Sequence, residues 1–161
     1  MDESALRQKL IGCSQRIRHR GPDWSGYVLR GLKSEHGIAH ERLAIIDPDS
    51  GSQPLVSPNG KVTVAANGEL YNYKELFSSE EISALNYIPR TGSDCEVIIP
   101  LYMKYGKGLA NYLRGMFAFV LYDETTDSFI AVRDHIGIIP LYIGYGADGS
   151  VWFASEMKAF S

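Results

Sequence analysis

Arg42 is the first residue whose type and setting suggest chemistry. It lies in the segment HERLAIID, residues 40–47, and apolar residues follow it. A guanidinium in such a setting can hold a carboxylate through two parallel hydrogen bonds, a geometry that lysine cannot provide. The alternative is an ordinary salt bridge to Glu41 or Asp47, which would make Arg42 a structural residue. The residue pattern leaves both interpretations open.

Asn67 and Gly68 form the second group of interest. Asn-Gly is the strongest short hairpin signal, and a tight turn is therefore the simplest interpretation. However, only residues 61–66 upstream alternate as a strand does, whereas residues 70–74 downstream look like a loop that enters a helix. A strand end that presents an asparagine amide and a glycine N–H offers two donors to a developing oxyanion. Both interpretations stay open.

The segment around Asp94 combines acidic residues with a thiol. Ser93 and Glu96 have the spacing of a capping box, in which the carboxylate reaches back to the N-cap amide and also interacts favourably with the helix dipole. Asp94, beside Gly92 and Ser93, can instead receive a ligand ammonium group. Cys95 lies at a predicted helix start, which lowers a thiol pKa, but its acidic neighbours raise it again. A hydrolase that depends on Cys95 is therefore disfavoured.

The histidines and the remaining cysteine, Cys13, do not have the spacing of a metal centre. His36 and His40 would share one face of a strand, but no third ligand has matching spacing. Cys13 lies on an apolar helical stripe, which predicts a buried and inert thiol. The sequence contains neither a phosphate-binding glycine loop nor a nucleophile elbow. We therefore expect no metal and no cofactor in this chain.

Two long helices and several strands must position these residues. Apolar residues at offsets of four, three and four predict an amphipathic helix over residues 5–18. A second long helix is predicted from Ser93, and Pro100 in its interior should kink it. Strands are predicted at 27–29, 37–40, 62–66, 115–122, 129–133, 141–145 and 151–154, with a short helix at 73–77 and hairpin turns at 124–127 and 148–149. The apolar run at 116–121 indicates a strand covered on both faces, so we expect an α+β fold of stacked sheets with helices outside, in one domain over residues 1–161.

Composition excludes several classes of protein. The chain has 161 residues and a formal charge of −3, which gives no basic field for a nucleic acid. The apolar stretch at residues 116–122 is far shorter than the roughly 18 residues of a membrane-spanning helix. The polar N terminus does not resemble a signal peptide, and two cysteines without metal or disulfide spacing fit a reducing compartment. We therefore expect a cytoplasmic protein with neither nucleic acid nor membrane as its partner.

Six segments occur together in one order along the chain. They are RHRGPD (18–23), HERLAIID (40–47), NGELYN (67–72), GSDCE (92–96), RDHIGIIPLY (133–142) and SEMKA (155–159). Together they resemble the glutaminase domain of glutamine-hydrolysing asparagine synthetases, a class II glutamine amidotransferase of the N-terminal-nucleophile hydrolase fold. Related amidotransferases share the NG and SD elements, whereas the amino-acid sequences of the first, second and fifth segments resemble those of the asparagine enzymes. The resemblance covers nearly the whole chain.

The resemblance implies a binding site for L-glutamine. The residues that it implicates are Arg42, Leu43, Ile45, Ile46, Asn67, Gly68, Glu69 and Asp94. By similarity, Arg42 holds the α-carboxylate, and main-chain groups of residues 43–46 line the pocket. Glu69 and Asp94 fix the α-ammonium group. Asn67 and Gly68 correspond to the oxyanion hole.

The resemblance also implies an architecture and a partner. The fold of the family has four layers, αββα, with two stacked antiparallel sheets between helices. In the family an N-terminal cysteine thiolate releases ammonia from glutamine, and the ammonia passes to a C-terminal synthetase domain that uses ATP to amidate aspartate. The ATP and Mg²⁺ sites belong to that domain, and its pyrophosphate loop does not occur here. The expected partners are L-glutamine and that domain, and a homodimer is compatible with the resemblance.

The chain departs from the family at its first residues. The family begins with Met-Cys-Gly-Ile on a strand before the first helix, whereas Asp2 stands at the second position here. Neither Cys13 nor Cys95 occupies the position of the nucleophile. We therefore expect the first strand and the nucleophile to be missing, and inefficient hydrolysis of glutamine by the chain as written. The alternative is a non-catalytic module that binds glutamine or docks onto a synthetase subunit.

Overall fold

A computed structural model describes residues 2–33, 35–44 and 51–161. Two of the predicted site residues, Ile45 and Ile46, lie outside these ranges. Asp47, the alternative partner of Arg42, also lies outside them, as does most of the loop expected before Gly51.

The chain combines short helices with antiparallel strands, which confirms the predicted α+β class. The α-helices are α1 (Glu3–Gln15), α2 (Tyr73–Ser78), α3 (Glu80–Ser83) and α4 (Ile98–Tyr105). The strands are β1 (Trp24–Arg30), β2 (His36–Arg42), β3 (Leu55–Val56), β4 (Val62–Leu70), β5 (Gly115–Asp123), β6 (Ser128–Arg133), β7 (Tyr142–Tyr145) and β8 (Val151–Ala154). None of the helices in the described ranges is long and apolar enough to cross a membrane.

In residues 2–33, 35–44 and 51–161, the strands form three antiparallel sheets. Strand β1 pairs with β2, strands β3 to β6 pair in sequence order, and β7 pairs with β8. The hairpins predicted at residues 124–127 and 148–149 join β5 to β6 and β7 to β8, as expected. Asn67 and Gly68, in contrast, lie inside β4 and pair with Ala118 and Phe117 of β5. The hairpin interpretation of Asn-Gly is therefore wrong, because the strand continues to Leu70.

The two faces of β4 contact different parts of the protein. Alternate residues of a strand point to opposite faces. Val64, Ala66 and Leu70 are buried in the core that also contains residues of α4. Thr63, on the opposite face, accepts a hydrogen bond from Arg30 Nε of β1 at 2.8 Å. The central sheet is therefore covered by α4 on one face and by the β1–β2 sheet on the other.

Helix α1 packs on the outer side of β2. Asp2 caps its N terminus by accepting from the Ala5 N–H at 2.8 Å, and Ser14 Oγ donates to Glu41 Oε1 at 2.6 Å. The helix ends at Gln15, before the predicted residue 18, because Arg18 lies in a 3₁₀ turn. There its guanidinium binds Glu41 Oε2 at 2.8 Å.

The segment from Asp94 to Tyr105 is not the single long helix that the sequence predicts. Residues Asp94–Val97 form a 3₁₀ turn, and the α-helix begins at Ile98. Pro100 is therefore the third residue of α4, where the backbone N–H of any residue has no intrahelical partner, so the proline removes no hydrogen bond of the helix.

The predicted capping box is also wrong. The Ser93 side chain makes no capping hydrogen bond. The Glu96 carboxylate accepts hydrogen bonds from the Tyr87 hydroxyl at 2.8 Å and from the N–H groups of Arg90 and Thr91 at 2.7 Å each. A charged carboxylate with several donors binds them more strongly than a neutral acceptor would. Glu96 therefore holds the loop that leads to Asp94, instead of capping a helix.

Candidate functional site

One cavity collects the sequence-predicted residues that the structure describes. Its volume is about 400 Å³. The predicted residues among those that line it are Arg42, Leu43, Asn67, Gly68, Glu69 and Asp94. They come from the end of β2, the middle of β4 and the 3₁₀ turn before α4. The fold therefore brings together three segments that are far apart in the sequence.

The cavity runs along the edges of two strands. Consecutive residues 37–42 of β2 and 151–154 of β8 line it. Consecutive residues of a strand point to opposite faces, so a cavity that touches all of them follows the strand edge. Within the described ranges, β2 pairs only with β1 and β8 pairs only with β7. Helix α1 closes one side of the cavity through Leu10, Cys13 and Ser14.

The edge of β4 presents its backbone to this cavity in a defined way. Ala66 N–H donates to Gln53 Oε1 at 2.7 Å, and Leu70 N–H donates to Asp94 Oδ2 at 2.6 Å. Residues two apart on a strand direct their backbone groups to the same side. The Gly68 N–H therefore points to this same edge, between two positions that are held by side chains.

The neighbouring strand supports this orientation of Gly68. Its pairing partner Phe117 exchanges hydrogen bonds with Asp134 instead, since Asp134 N–H donates to Phe117 O at 2.8 Å and Phe117 N–H donates to Asp134 Oδ2 at 3.3 Å. A Cβ on Gly68 would lie 2.0 Å from Met116 O, and its φ of +123° is one that L side chains rarely adopt. Only glycine fits at this position.

A buried cation and a buried anion contribute to the cavity wall. Arg42 is 7% exposed and Asp94 is 4% exposed. The sequence left a salt bridge from Arg42 to Glu41 as one alternative, but the Glu41 carboxylate is bound by Arg18, Ser14 and Ser25. Those hydrogen bonds and the charge of Arg18 lower the pKa of Glu41 against the opposing effect of burial.

The remaining predicted residues differ in what they present. Glu69 and Asn67 are half-buried on the face of β4 that looks into the cavity. The Leu43 side chain is exposed, while the adjacent Ala44 N–H donates to Asp23 Oδ2 at 2.8 Å. The segment after Arg42 is thus anchored by Asp23.

Both cysteines line the cavity that contains Gly68, but they differ in burial. Burial, and then the carboxylate of Asp94, raise the pKa of the Cys95 thiol, so that it stays protonated near neutral pH. Cys13 is half-buried and lines the cavity from α1. The prediction that Cys13 is buried is therefore wrong, because the cavity lies beneath its helix.

Two residues at the site were missed as site residues by the sequence analysis. The amide of Gln53 pairs with both backbone groups of Ala66, and Nε2 of His40 lies 2.9 Å from the same Ala66 carbonyl. His36, considered with His40 as a metal pair, instead lies 3.3 Å from Asp127. The sequence feature that could have identified His40 as a site residue is its position two residues before Arg42, on the same face of one strand.

Comparison with known proteins gives one consistent result. A family model described as a glutamine amidotransferase domain matches residues 1–161. Two proteins of Arabidopsis thaliana, the glutamine-hydrolysing asparagine synthetases 3 and 2, are 54% and 55% identical to this chain over 160 residues, which are 99% of the chain and 26% of each relative. A glutamine-hydrolysing asparagine synthetase of Zea mays is 53% identical over 157 residues, 98% of the chain and 26% of the relative. The chain thus spans about a quarter of the length of these relatives.

Proposed function

The chain belongs to the glutamine amidotransferase family, and from that premise we propose that its cavity binds L-glutamine as the glutaminase part of an asparagine synthetase. The observation that carries the proposal is the placement of Arg42, Glu69 and Asp94 around one cavity. A free amino acid carries a carboxylate and an ammonium group, which need a cation and an anion at a fixed separation. We further propose that residues 1–161 act as one domain.

The geometry supports a specific orientation of glutamine. Arg42 holds the α-carboxylate through its guanidinium, since a guanidinium can donate two parallel hydrogen bonds to one carboxylate. Glu69 and the second oxygen of Asp94 hold the α-ammonium group. The side-chain carboxamide then lies at Asn67 and Gly68, whose side-chain amide and backbone N–H can donate to its oxygen. Ile45 and Ile46 remain predicted pocket residues.

The proposed chemistry is the release of ammonia through a thioester. A thiolate attacks the carboxamide carbon, and the negative charge that forms on the oxygen is stabilised at Asn67 and Gly68. The C–N bond then breaks as the nitrogen takes up a proton, and ammonia leaves. Water hydrolyses the thioester to glutamate. Ammonia would pass to an ATP-using partner domain, which by the resemblance makes asparagine from aspartate.

The proposed nucleophile is a cysteine on a strand that pairs with β2 and β8. Within the described ranges, the outer edges of β2 and β8 are unpaired and follow the cavity, which residues of α1, β4 and β5 also line. An extended segment between those edges would join the two small sheets into one, which gives the four-layer αββα arrangement that the resemblance implies. We propose this N-terminal-nucleophile architecture on that basis.

A second candidate function is a glutamine-binding module without catalysis. The specific observation in its favour is that the proposed binding groups share one cavity, whereas Cys95 is buried and Cys13 lies on a helix. The two functions share the binding step and differ only in turnover.

Calorimetry of glutamine binding tests the shared step. We expect millimolar or tighter binding that is lost in Arg42→Ala and retained in Arg7→Ala, since Arg7 is an exposed arginine of α1. A glutaminase assay then separates the two functions. We expect ammonia release only when the chain is preceded by a Cys-Gly-Ile strand, and equal activity with and without that strand would contradict the proposed nucleophile. Absence of glutamine binding would overturn both functions.

A further inference from the structure

His40 is a buried polar group that the proposed glutamine contacts do not use. Its Nε2 lies 2.9 Å from the Ala66 carbonyl oxygen. A carbonyl oxygen can only accept, so Nε2 must carry a proton. The pKa of His40 is lowered from 6.5 to about 4, mainly by burial and also by the charge of Arg42, although the hydrogen bond to Ala66 and the charge of Glu41 act in the opposite direction. The ring is therefore neutral near pH 7, and its other nitrogen, Nδ1, carries a lone pair.

That lone pair is left without a donor in the described part of the chain. Nδ1 is buried and has no hydrogen-bond partner among the described residues. Buried polar atoms are nearly always hydrogen-bonded, and an exception calls for an explanation. His40 is one of the residues that line the cavity. An acceptor without a donor in the wall of a ligand cavity points to a donor on the ligand.

The position of His40 identifies which part of the ligand lies beside it. His40 and Arg42 are on the same face of β2, and two residues of a strand span roughly 6.6 Å. On the opposite side His40 contacts Ala66, the residue before Asn67 and Gly68. A glutamine whose α-carboxylate meets Arg42 and whose amide oxygen meets Asn67 therefore has its carboxamide at the level of His40.

We propose that His40 Nδ1 accepts a hydrogen bond from the carboxamide N–H of glutamine and thereby selects glutamine over glutamate. The inference rests on the proposed function and adds the basis of its specificity. Glutamate differs from glutamine only in this group, where it carries a carboxylate with no N–H. A lone pair on Nδ1 would then face a negatively charged oxygen. The repulsion between this lone pair and the new carboxylate would also favour the release of glutamate after hydrolysis.

Nitrogen NMR of the unmodified protein tests the contact directly. With ¹⁵N-labelled histidine, the Nδ1 resonance of His40 should move when glutamine is added, because accepting a hydrogen bond changes its shielding. It should stay in place when glutamate is added at the same concentration. A resonance that does not move while calorimetry shows bound glutamine would overturn the inference. Comparison with the spectrum of His40→Gln assigns the resonance.

Two substitutions separate the two nitrogens of the ring. His40→Gln keeps a side-chain N–H in the place of Nε2 and has no acceptor in the place of Nδ1. His40→Asn carries an oxygen in the place of Nδ1 and loses the donor to Ala66. We expect the ratio of glutamine to glutamate affinity to fall about three- to tenfold in His40→Gln, as for the loss of one hydrogen bond, and to be retained in His40→Asn.

The possible results distinguish this inference from the proposed function. If the wild-type chain binds no glutamine, the proposed function fails and the inference falls with it. If the wild-type chain binds glutamine and His40→Gln keeps the same preference over glutamate, only the inference fails. Should His40→Gln not fold, the spectrum of His40→Asn assigns the resonance, and the NMR measurement on the wild-type chain still decides the matter.

Discussion

Replacing His40 by glutamine should make the protein less sensitive to acid. The pKa of His40 is lowered from 6.5 to about 4 in the folded chain, mainly by burial, and the nearby charges of Arg42 and Glu41 act on it in opposite directions. The unfolded chain therefore binds a proton between these two pH values that the folded chain does not bind. The contribution of His40 to stability is fully present above pH 6.5 and is lost as the pH falls towards 4.

The magnitude follows from the difference between the two pKa values. A pKa of about 4 against one of 6.5 corresponds to about 3 kcal/mol in total. Most of this change falls between about pH 7 and about pH 4.5. Carboxylates with lowered pKa, such as those of Glu41 and Asp123, lose their contribution below their ordinary values near 4. Above about pH 4.5, the change of the free energy of unfolding with pH therefore comes from histidines.

Urea unfolding at a series of pH values provides the measurement. Trp24 and Trp152 report the transition by fluorescence, and linear extrapolation gives the free energy of unfolding at each pH. His40→Gln keeps a donor for the Ala66 carbonyl, so its stability near pH 7 should change little. Between about pH 7 and about pH 4.5, the wild-type chain should lose about 2 to 3 kcal/mol more than the variant. Parallel losses in both proteins would refute the reasoning that burial keeps His40 neutral.

Three further predictions concern the other features of the site. Gly68→Ala should lower the free energy of unfolding by about 2 kcal/mol or more, because the new Cβ meets a carbonyl of the next strand and the φ angle is strained. Gly12→Ala in α1 has open space around it and should stabilise the protein slightly. Thermal unfolding of both variants tests this, and equal effects would contradict it. Asp94→Asn keeps an acceptor for the Leu70 N–H but loses the negative charge. The affinity for glutamine should therefore fall about tenfold, with little change in melting temperature. Unchanged affinity in calorimetry would count against an ammonium site at Asp94. In the native protein Cys13 should react with a small alkylating reagent before Cys95, which should react only on unfolding; mass spectrometry of the labelled peptides would expose the reverse order.

The elements that the sequence predicted well are those with a local pattern. Strand β8 has the predicted bounds, residues 151–154, and α2 differs by one residue at its end. Both are specified by apolar spacing and turn residues within a short window. The α+β class followed from the same local signals. The identification of the family rested on six ordered motifs and is confirmed by the match over residues 1–161.

What the sequence could not predict depends on contacts between distant residues. His40 lies against Ala66, 26 residues away, and no spacing rule links them. Glu96 has the spacing of a capping residue, yet the loop at residues 87–91 offers it more donors than the helix end does. Pro100 looked like a helix breaker because the preceding 3₁₀ turn was taken as the start of the helix. In each case tertiary contacts determined the local structure.

The side chains that flank Gly68 also determine what can associate with the edge of β4. Unpaired strand edges are templates on which a second molecule can add its own strand and begin to aggregate. At Ala66 and Leu70 those backbone positions are already taken by Gln53 and Asp94, so that among the described residues only the Gly68 N–H remains between them. A polypeptide cannot lie along such an edge, but a small molecule can reach it. In the part of the chain that the structure describes, no third strand pairs with the outer edge of β2 or of β8, and intermolecular strand pairing would start there.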